Sequence, residues 1–322
     1  MLSSEAVEQD YKVVSLIMFL KAVYSEMKEL LAGGGIEMPA LEARFIIAER
    51  CGYEWSDIVA KGEEIVVSPV RYDAMRRDVA ERLGGVPLSR IYNKRGFWGL
   101  EFALSPDTLD PRPDTELIIE LALQRFSKDQ PPAHILDLGT GSGCILISLL
   151  CEFVAAQGVG VDLSAGALDM ACYNAQQNDC AQRAVFVHGS WWDALDTGQV
   201  VSCAADDGVD QGAYKVQQKF DLIVSNPPYI ANHKVSGLSA AVRNHDPILS
   251  LDGGADGLDA YKIIFSGLKK YLSSRGIALC EIGYDQQDDV MRLSEEHGFA
   301  LRTVHTDLAG NPRVVEISCG DK

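Results

Sequence analysis

From residue 113 onward, short apolar runs alternate with longer amphipathic stretches. The runs predict strands at 133–138 (AHILDL), 158–163 (GVGVDL), 184–189 (AVFVHG), 220–225 (FDLIVS), 276–283 (GIALCEIG), 301–307 and 313–319. The amphipathic stretches predict helices at 114–126, 142–155, 164–178, 256–273 and 284–297. Alternation of this kind implies an α/β fold, a mostly parallel sheet covered by helices on both faces. Only a turn (LAGNP) separates the last two runs, so they are expected to pair antiparallel as a hairpin at one edge. Residues 196–219, rich in Asp, Gly, Gln and Ala, read as a surface insertion.

Before residue 91 the period is helical. LEARFIIAERCG (41–52) places Leu41, Phe45, Ile46 and Ala48 on one face and ends in a glycine stop. YDAMRRDVAERLGG (72–85) repeats the pattern with a double glycine. IYNKRGFWGLEFALS (91–105) reads as a hairpin turning near Gly96 or Gly99. The expected organisation is a helical domain over 1–90, a hairpin linker over 91–112 and an α/β domain over 113–322. VVSLIMFLKAVY (13–24) is too short to span a bilayer. It follows Glu5, Glu8 and Asp10, is broken by Lys21 and has no cleavage site after it, so it reads as a core-facing helix of a cytoplasmic protein.

Charge narrows the function. A net charge of −17 over 322 residues opposes a grip on nucleic-acid phosphates, which needs clustered Lys and Arg. The eight cysteines form no CxxC pair, and Cys144 and Cys280 sit in apolar runs. They read as thiols in a reducing compartment, without a disulfide framework or a zinc site. The histidines show no ligand spacing, and no metal is expected.

Two strand ends carry the chemistry. The first strand runs into DLGTGSG, Asp137 to Gly143, where Gly139, Gly141 and Gly143 let the backbone approach a ligand. Cys144 stands where the dinucleotide fingerprint requires its last glycine, which weakens a nicotinamide or flavin reading. Asp162 ends the next strand, where a carboxylate can bind both hydroxyls of a ribose. Together they point to an adenosine compound lacking a pyrophosphate.

The strand 220–225 ends in Asn226-Pro227-Pro228-Tyr229. The prolines stiffen the segment and withdraw it from sheet pairing while leaving their carbonyls free. The Asn226 side-chain oxygen and the Pro227 carbonyl can hold both hydrogens of a planar –NH2 group, with Tyr229 against its face. Holding those hydrogens from one side turns a delocalised lone pair toward an electrophile. A glycine-lined adenosine site beside an amine cradle points to methyl transfer from S-adenosylmethionine.

DLGTGSG, VDLS and SNPPYI resemble N-methyltransferases that modify planar amines. With LDPRPDTE (109–116), GSWWDAL (189–195), LDGGADGLDAYKII (251–264), LCEIGYDQ (279–286) and DLAGNPRVV (307–315), the chain resembles the bacterial peptide-chain release factor glutamine N5-methyltransferases from about residue 40 to 318. The resemblance implies a Rossmann-like methyltransferase sheet and a helical N-terminal domain that helps hold the release factor. It implies methylation of the side-chain amide of the Gly-Gly-Gln glutamine, giving S-adenosylhomocysteine without a metal. It places the donor on Gly139, Thr140, Gly141, Ser142 and Gly143, its ribose on Asp162, its adenine near Trp191, and Asn226 where donor and acceptor meet. The acceptor amide falls to Asn226, Pro227, Pro228 and Tyr229. Asp110 departs from the family's apolar residue and Ser190 from its usual Asp. Arg112, Asp114, Thr115 and Glu116 either shape the pocket or open a helix in the ordinary way. A monomer acting without direct nucleic-acid or membrane contact is expected.

Three rivals share parts of this pattern. A DNA adenine-N6 methyltransferase would use the same cradle but needs a basic groove; residues 1–90 hold 15 acidic and 11 basic side chains. A ribosomal-protein glutamine methyltransferase would share fold and cradle alike. A non-catalytic relative would have no need of Asn226 and Asp162.

Overall fold

A computed structural model describes residues 18–318 except 128, 202, 204–218 and 300. These residues form two compact units that divide between Tyr92 and Asn93.

The first unit is helical: α1 (Leu20–Gly33), α2 (Pro39–Cys51), α3 (Trp55–Lys61), α4 (Pro69–Leu83) and α5 (Leu88–Ile91), with a short antiparallel pair, β1 (Met18–Phe19) and β2 (Val66–Val67). Helix α1 buries Leu20, Val23, Met27 and Leu31, one stripe at helical spacing. Of the segment 13–24, residues 20–24 open α1 with their stripe facing the core as expected, Met18–Phe19 are strand instead of helix, and residues 13–17 lie outside the described residues. Helix α2 departs from the expected face. It buries Ala43, Ile46 and Ile47, while Leu41 stands exposed. The small Ala43 permits close approach, and helical spacing from it selects Ile46 and Ile47 rather than the Leu41 side. The αL residue Gly52 (φ 71°) ends α2 and donates to the Ala48 carbonyl. Buried Asp78 of α4 accepts two bonds of 2.6 Å from Arg50 of α2 and one of 2.5 Å from Tyr92.

The second unit opens with a hairpin, β3 (Lys94–Phe97) and β4 (Leu100–Ala103). Trp98 and Gly99, with φ of 50° and 71°, make the turn, which decides for Gly99 over Gly96. Phe97 and Phe102 pack into the same core as α6 (Glu116–Arg125).

The chain then runs through β5 (His134–Leu138), α7 (Cys144–Glu152), β6 (Gln157–Asp162), α8 (Ala165–Gln177), β7 (Ala184–His188), α9 (Ala194–Thr197), β8 (Gln199–Val201) and β9 (Phe220–Ser225). It continues through α10 (Asn232–Val235), α11 (Ala240–His245), α12 (Asp259–Tyr271), β10 (Leu272–Glu281), α13 (Gln287–Glu296), β11 (Leu301–Thr306) and β12 (Pro312–Ser318). The eight-stranded sheet has the order β11-β12-β10-β9-β5-β6-β7-β8. Strands β10, β9, β5, β6 and β7 run parallel, and β11 and β12 form the antiparallel edge hairpin.

Alternate residues of the central strands face opposite layers. Ile135, Leu222, Val224 and Leu279 pack with α6, α7 and α8; Leu136, Ile223, Ala278 and Cys280 pack with α12 and α13. The chain reverses direction across the sheet between β5 and β9, so their carboxyl ends flank a topological switch point, the usual place for a ligand crevice.

Two expectations change. The segment 196–219 is not all insertion: Gln199–Val201 pairs antiparallel with β7 and closes the sheet edge. Residues 202 and 204–218 lie outside the described residues. The cysteines are not all thiols, because Cys172 of α8 is disulfide-bonded to Cys203. Helix α8 packs beside β8, which brings residues 31 apart in sequence to a Cα separation of 4.8 Å. Among the described residues, no helix is long and apolar enough to cross a membrane.

Candidate active site

The loop after β5 is built from glycines in a backbone region that other residues adopt at a cost. Gly139, Gly141 and Gly143 have φ of 76°, 55° and 80°. The amides of Gly139 and Thr140 donate to the Val161 carbonyl at 2.8 and 2.9 Å, folding the loop over the end of β6. A Cβ on Gly139 or Gly141 would meet nothing within 4 Å, so the loop borders open space. Thr140 and Ser142 are buried, and the Thr140 hydroxyl donates to Asp137 at 2.7 Å.

Asp137 is fully buried, and no hydrogen bond reaches its other oxygen among the described residues. Burial pushes its carboxyl up to about 7. Asp162 accepts the Gly141 amide at 2.8 Å on one oxygen and the Ser164 amide at 2.9 Å on the other. Each oxygen keeps a further lone pair. Desolvation raises its pKa against the opposing pull of those amides.

Strand β9 brings the second loop to the first. Asp137 pairs with Val224 across the β5–β9 ladder, and the buried Ser225 hydroxyl donates to the Leu138 carbonyl at 2.6 Å. Asn226 follows, half-buried, with Pro227 buried behind it. Asn226 Nδ2 donates to Thr115 Oγ1 at 3.1 Å, and Thr115 donates to Glu281 at 2.6 Å. The Tyr229 hydroxyl donates to the other Glu281 oxygen at 3.1 Å. Among the described residues, neither Asn226 Oδ1 nor the Pro227 carbonyl is taken by a hydrogen bond. Half-buried Pro228 continues the stiff turn to Tyr229, which packs against the core of the α12 layer.

The 251–257 loop clamps this turn. Ile230 donates to Leu251, and Gly253 donates back to Ile230, both at 2.9 Å. A Cβ on Gly253 would stand 2.9 Å from the Pro228 carbonyl oxygen, and one on Gly257 would stand 2.5 Å from that of Tyr229. Only glycine admits so close a backbone approach.

The remaining predicted residues divide. Trp191 is half-buried in a left-handed conformation (φ 45°) just after β7, where the Gly189 amide donates to the Asp162 carbonyl at 3.0 Å. Its neighbour Trp192, for which no role was predicted, is core: it stacks on Tyr271 at 4.9 Å and donates to the Ile263 carbonyl. Ser190 is exposed. Thr115 joins the Asn226 network, whereas Glu116 accepts the Trp98 amide of the hairpin turn at 2.8 Å. Arg112 pairs with Asp246 at 2.5 Å, and Asp114 with Arg313 at 3.1 Å. Asp110 is buried and pairs with Arg95 at 3.5 Å, which gives the acid a partner where the family has an apolar residue.

The family model described as the PrmC N-terminal domain matches residues 22–92, and that of ribosomal protein L11 methyltransferase (PrmA) matches 112–228. A release factor glutamine methyltransferase of Agrobacterium fabrum is 38% identical over 294 residues, 89% of this chain and 93% of that one. The chain belongs to the release factor glutamine methyltransferase family. A second relative of the same name, from Rhodospirillum rubrum, is also 38% identical and covers 87% of this chain and 78% of its own. Among solved structures, the hMettl16 catalytic domain in complex with MAT2A 3′UTR hairpin 6 superposes with a TM-score of 0.52 at 16% identity, over 76% of this chain and 83% of that one. That likeness is one of fold: the sheet is that of a methyltransferase.

Sequence reasoning missed two residues that hold the site together. Glu281 lies in LCEIGYDQ, but its tie to Tyr229 spans 52 positions and no local spacing announces it. Asn174 sits within α8, fully buried; it bonds both backbone groups of Ala103 and the Ser142 carbonyl, so it ties the hairpin to the glycine loop. A buried amide on a helix's apolar face was the available signal.

Proposed function

We propose that this chain transfers the methyl group of S-adenosylmethionine to the side-chain amide nitrogen of the glutamine in the Gly-Gly-Gln motif of peptide-chain release factors. One observation carries the reading: two unused acceptors, Asn226 Oδ1 and the Pro227 carbonyl, leave β9 beside the glycine-lined opening that leaves β5.

The residues fit the donor. The space beside Gly139 and Gly141 admits a ligand against the backbone, with Thr140 and Ser142 contributing main chain only. The spare lone pairs of Asp162 suit ribose hydroxyls, the buried unpartnered oxygen of Asp137 suits a cation, and Trp191 supplies a half-buried ring beyond the end of β6. When bound, S-adenosylmethionine supplies an electrophilic methyl group on a sulfonium.

Asn226 and Pro227 each accept one hydrogen of the acceptor amide, which directs its lone pair at the donor side of the crevice. Tyr229 and Pro228 fix the plane in which that amide lies. The amide nitrogen bonds the methyl carbon as the carbon–sulfur bond breaks, and the sulfur keeps that electron pair as the neutral thioether of S-adenosylhomocysteine. The nitrogen then releases one proton to solvent; orientation supplies most of the acceleration. No residue here forms a covalent bond to substrate in this scheme, and it requires no metal. Release-factor recognition is assigned to the helical unit, whose residues 22–92 match the PrmC N-terminal domain. The acidic surface, net −17, favours a protein acceptor over direct nucleic-acid contact. The reaction is assigned to a monomer in the cytoplasm.

The test is mass spectrometry of a release factor incubated with the protein and the donor. One methyl on the motif glutamine is expected, and its absence, or a methyl elsewhere, contradicts the assignment.

A further inference from the structure

One buried acid stands outside the reaction just described. Glu281 ends β10 with 1% of its surface exposed. Ser225 pairs with Cys280, so Asn226 and Glu281 leave neighbouring strands at the same level. Both Glu281 oxygens are used: one by the Tyr229 hydroxyl at 3.1 Å, the other by the Thr115 hydroxyl at 2.6 Å.

Proton counting then fixes a direction. An ionised carboxylate only accepts, and a threonine hydroxyl owns a single hydrogen. Once Thr115 gives that hydrogen to Glu281, it can only accept from Asn226, and the group that meets it must be Nδ2, as found at 3.1 Å. The Asn226 oxygen is thereby turned away from Thr115 and toward the crevice. A reversed amide would present two hydrogens to the acceptor's own two hydrogens, and the cradle would repel what it has to hold. Burial raises the Glu281 pKa, while the Thr115 hydroxyl, the charge of Arg313 and the Tyr229 hydroxyl oppose that rise and favour the ionised form.

We propose that Glu281, acting through Thr115, is the positioning residue that locks the Asn226 amide with its oxygen toward the acceptor, and that this polarity selects an –NH2 group as the methyl acceptor. The inference rests on the proposed reaction for its kinetic consequence, but the orientation of Asn226 can be read without any acceptor.

The test uses Thr115→Val, which keeps shape and removes the hydroxyl, Thr115→Ser, which restores it, and Glu281→Gln. In 1H–15N spectra of the full chain, the wild type and Thr115→Ser are expected to show one hydrogen-bonded, slowly exchanging Asn226 side-chain proton, assigned by its loss in Asn226→Ala. Thr115→Val and Glu281→Gln are expected to lose it. In methyl transfer, Thr115→Val and Glu281→Gln lose about 10- to 100-fold in kcat, as a misaligned reacting group does. KM for the donor holds, and Thr115→Ser stays within about threefold of wild type on the same argument. An unchanged Asn226 signal in Thr115→Val, or wild-type kcat in that variant, overturns the inference, as does a Thr115→Ser variant no better than Thr115→Val. A wild type that shows the protected proton yet methylates no release factor contradicts the acceptor assignment and leaves the lock established.

Discussion

Asp137 lies opposite Val224 in the parallel ladder between β5 and β9. Two residues further along each strand stand Gly139 and Asn226, which therefore leave the sheet side by side, roughly one strand spacing (about 4.8 Å) apart. The opening for the donor and the acceptors for the amide are neighbours because two strands distant in sequence are hydrogen-bonded in this register.

Asn226→Ala removes one of the two unused acceptors without touching the glycine loop. Transfer should fall by about 100- to 1,000-fold, the usual cost of losing one preorganised polar partner of the reacting group. Donor affinity measured by calorimetry should stay close to wild type. Turnover near wild type would remove Asn226 from the mechanism.

The glycines separate strain from packing. Gly141→Ala places a side chain at φ 55° in open space, costing about 1–2 kcal/mol of backbone strain and narrowing the donor cradle. Gly143→Ala adds a 2.8 Å contact with the Ile147 side chain to the same kind of strain. Thermal melts should therefore rank Gly143→Ala as the less stable, while donor titration should show the greater loss of affinity per degree of Tm in Gly141→Ala.

Asp137 makes stability depend on pH. Its folded value of about 7 lies above the ordinary 3.8, so the folded state binds the extra proton between them. The contribution to stability is complete below pH about 4 and is lost as the pH rises through about 7. Asp137→Asn should thus melt higher than the donor-free wild type at pH 8, by an amount on the order of a few kcal/mol, with the gap closing toward pH 4. Adding the cationic donor should stabilise the wild type more than the variant. Equal melting curves across that range would contradict the burial argument.

In the helical unit, Asp78 is one tie between α2 and α4, beside the Arg82–Glu42 pair. Asp78→Ala leaves Arg50 and the Tyr92 hydroxyl without their carboxylate, which should cost about 1–3 kcal/mol. A urea melt of the full chain carrying Trp98, Trp191 and Trp192 as Phe, so that Trp55 in α3 is the fluorescent probe, measures it against the same background without Asp78→Ala.

The sheet was legible because its strands are continuous apolar runs ended by glycine, proline or acid, and because period 2 and period 3.6 rarely imitate one another over such lengths. Asn226-Pro227-Pro228-Tyr229 stood out for a related reason: two prolines at the end of a buried strand have little structural use. Pairings between distant segments were not legible. The buried face of α2 followed the small Ala43, the β8 edge strand is only three residues long, and the Cys172–Cys203 bond depends on α8 packing beside it. The partners of Asn226 belong to the same class, since Thr115 lies 111 positions away and reaches it only through the fold.

The central claim is that the amine cradle serves a release-factor glutamine. Radiolabelled S-adenosylmethionine should be supplied to the purified protein with three acceptors: an intact release factor, the same factor with its motif glutamine replaced, and duplex DNA. The account predicts label on the intact factor alone. Label on the altered factor or on DNA would contradict it.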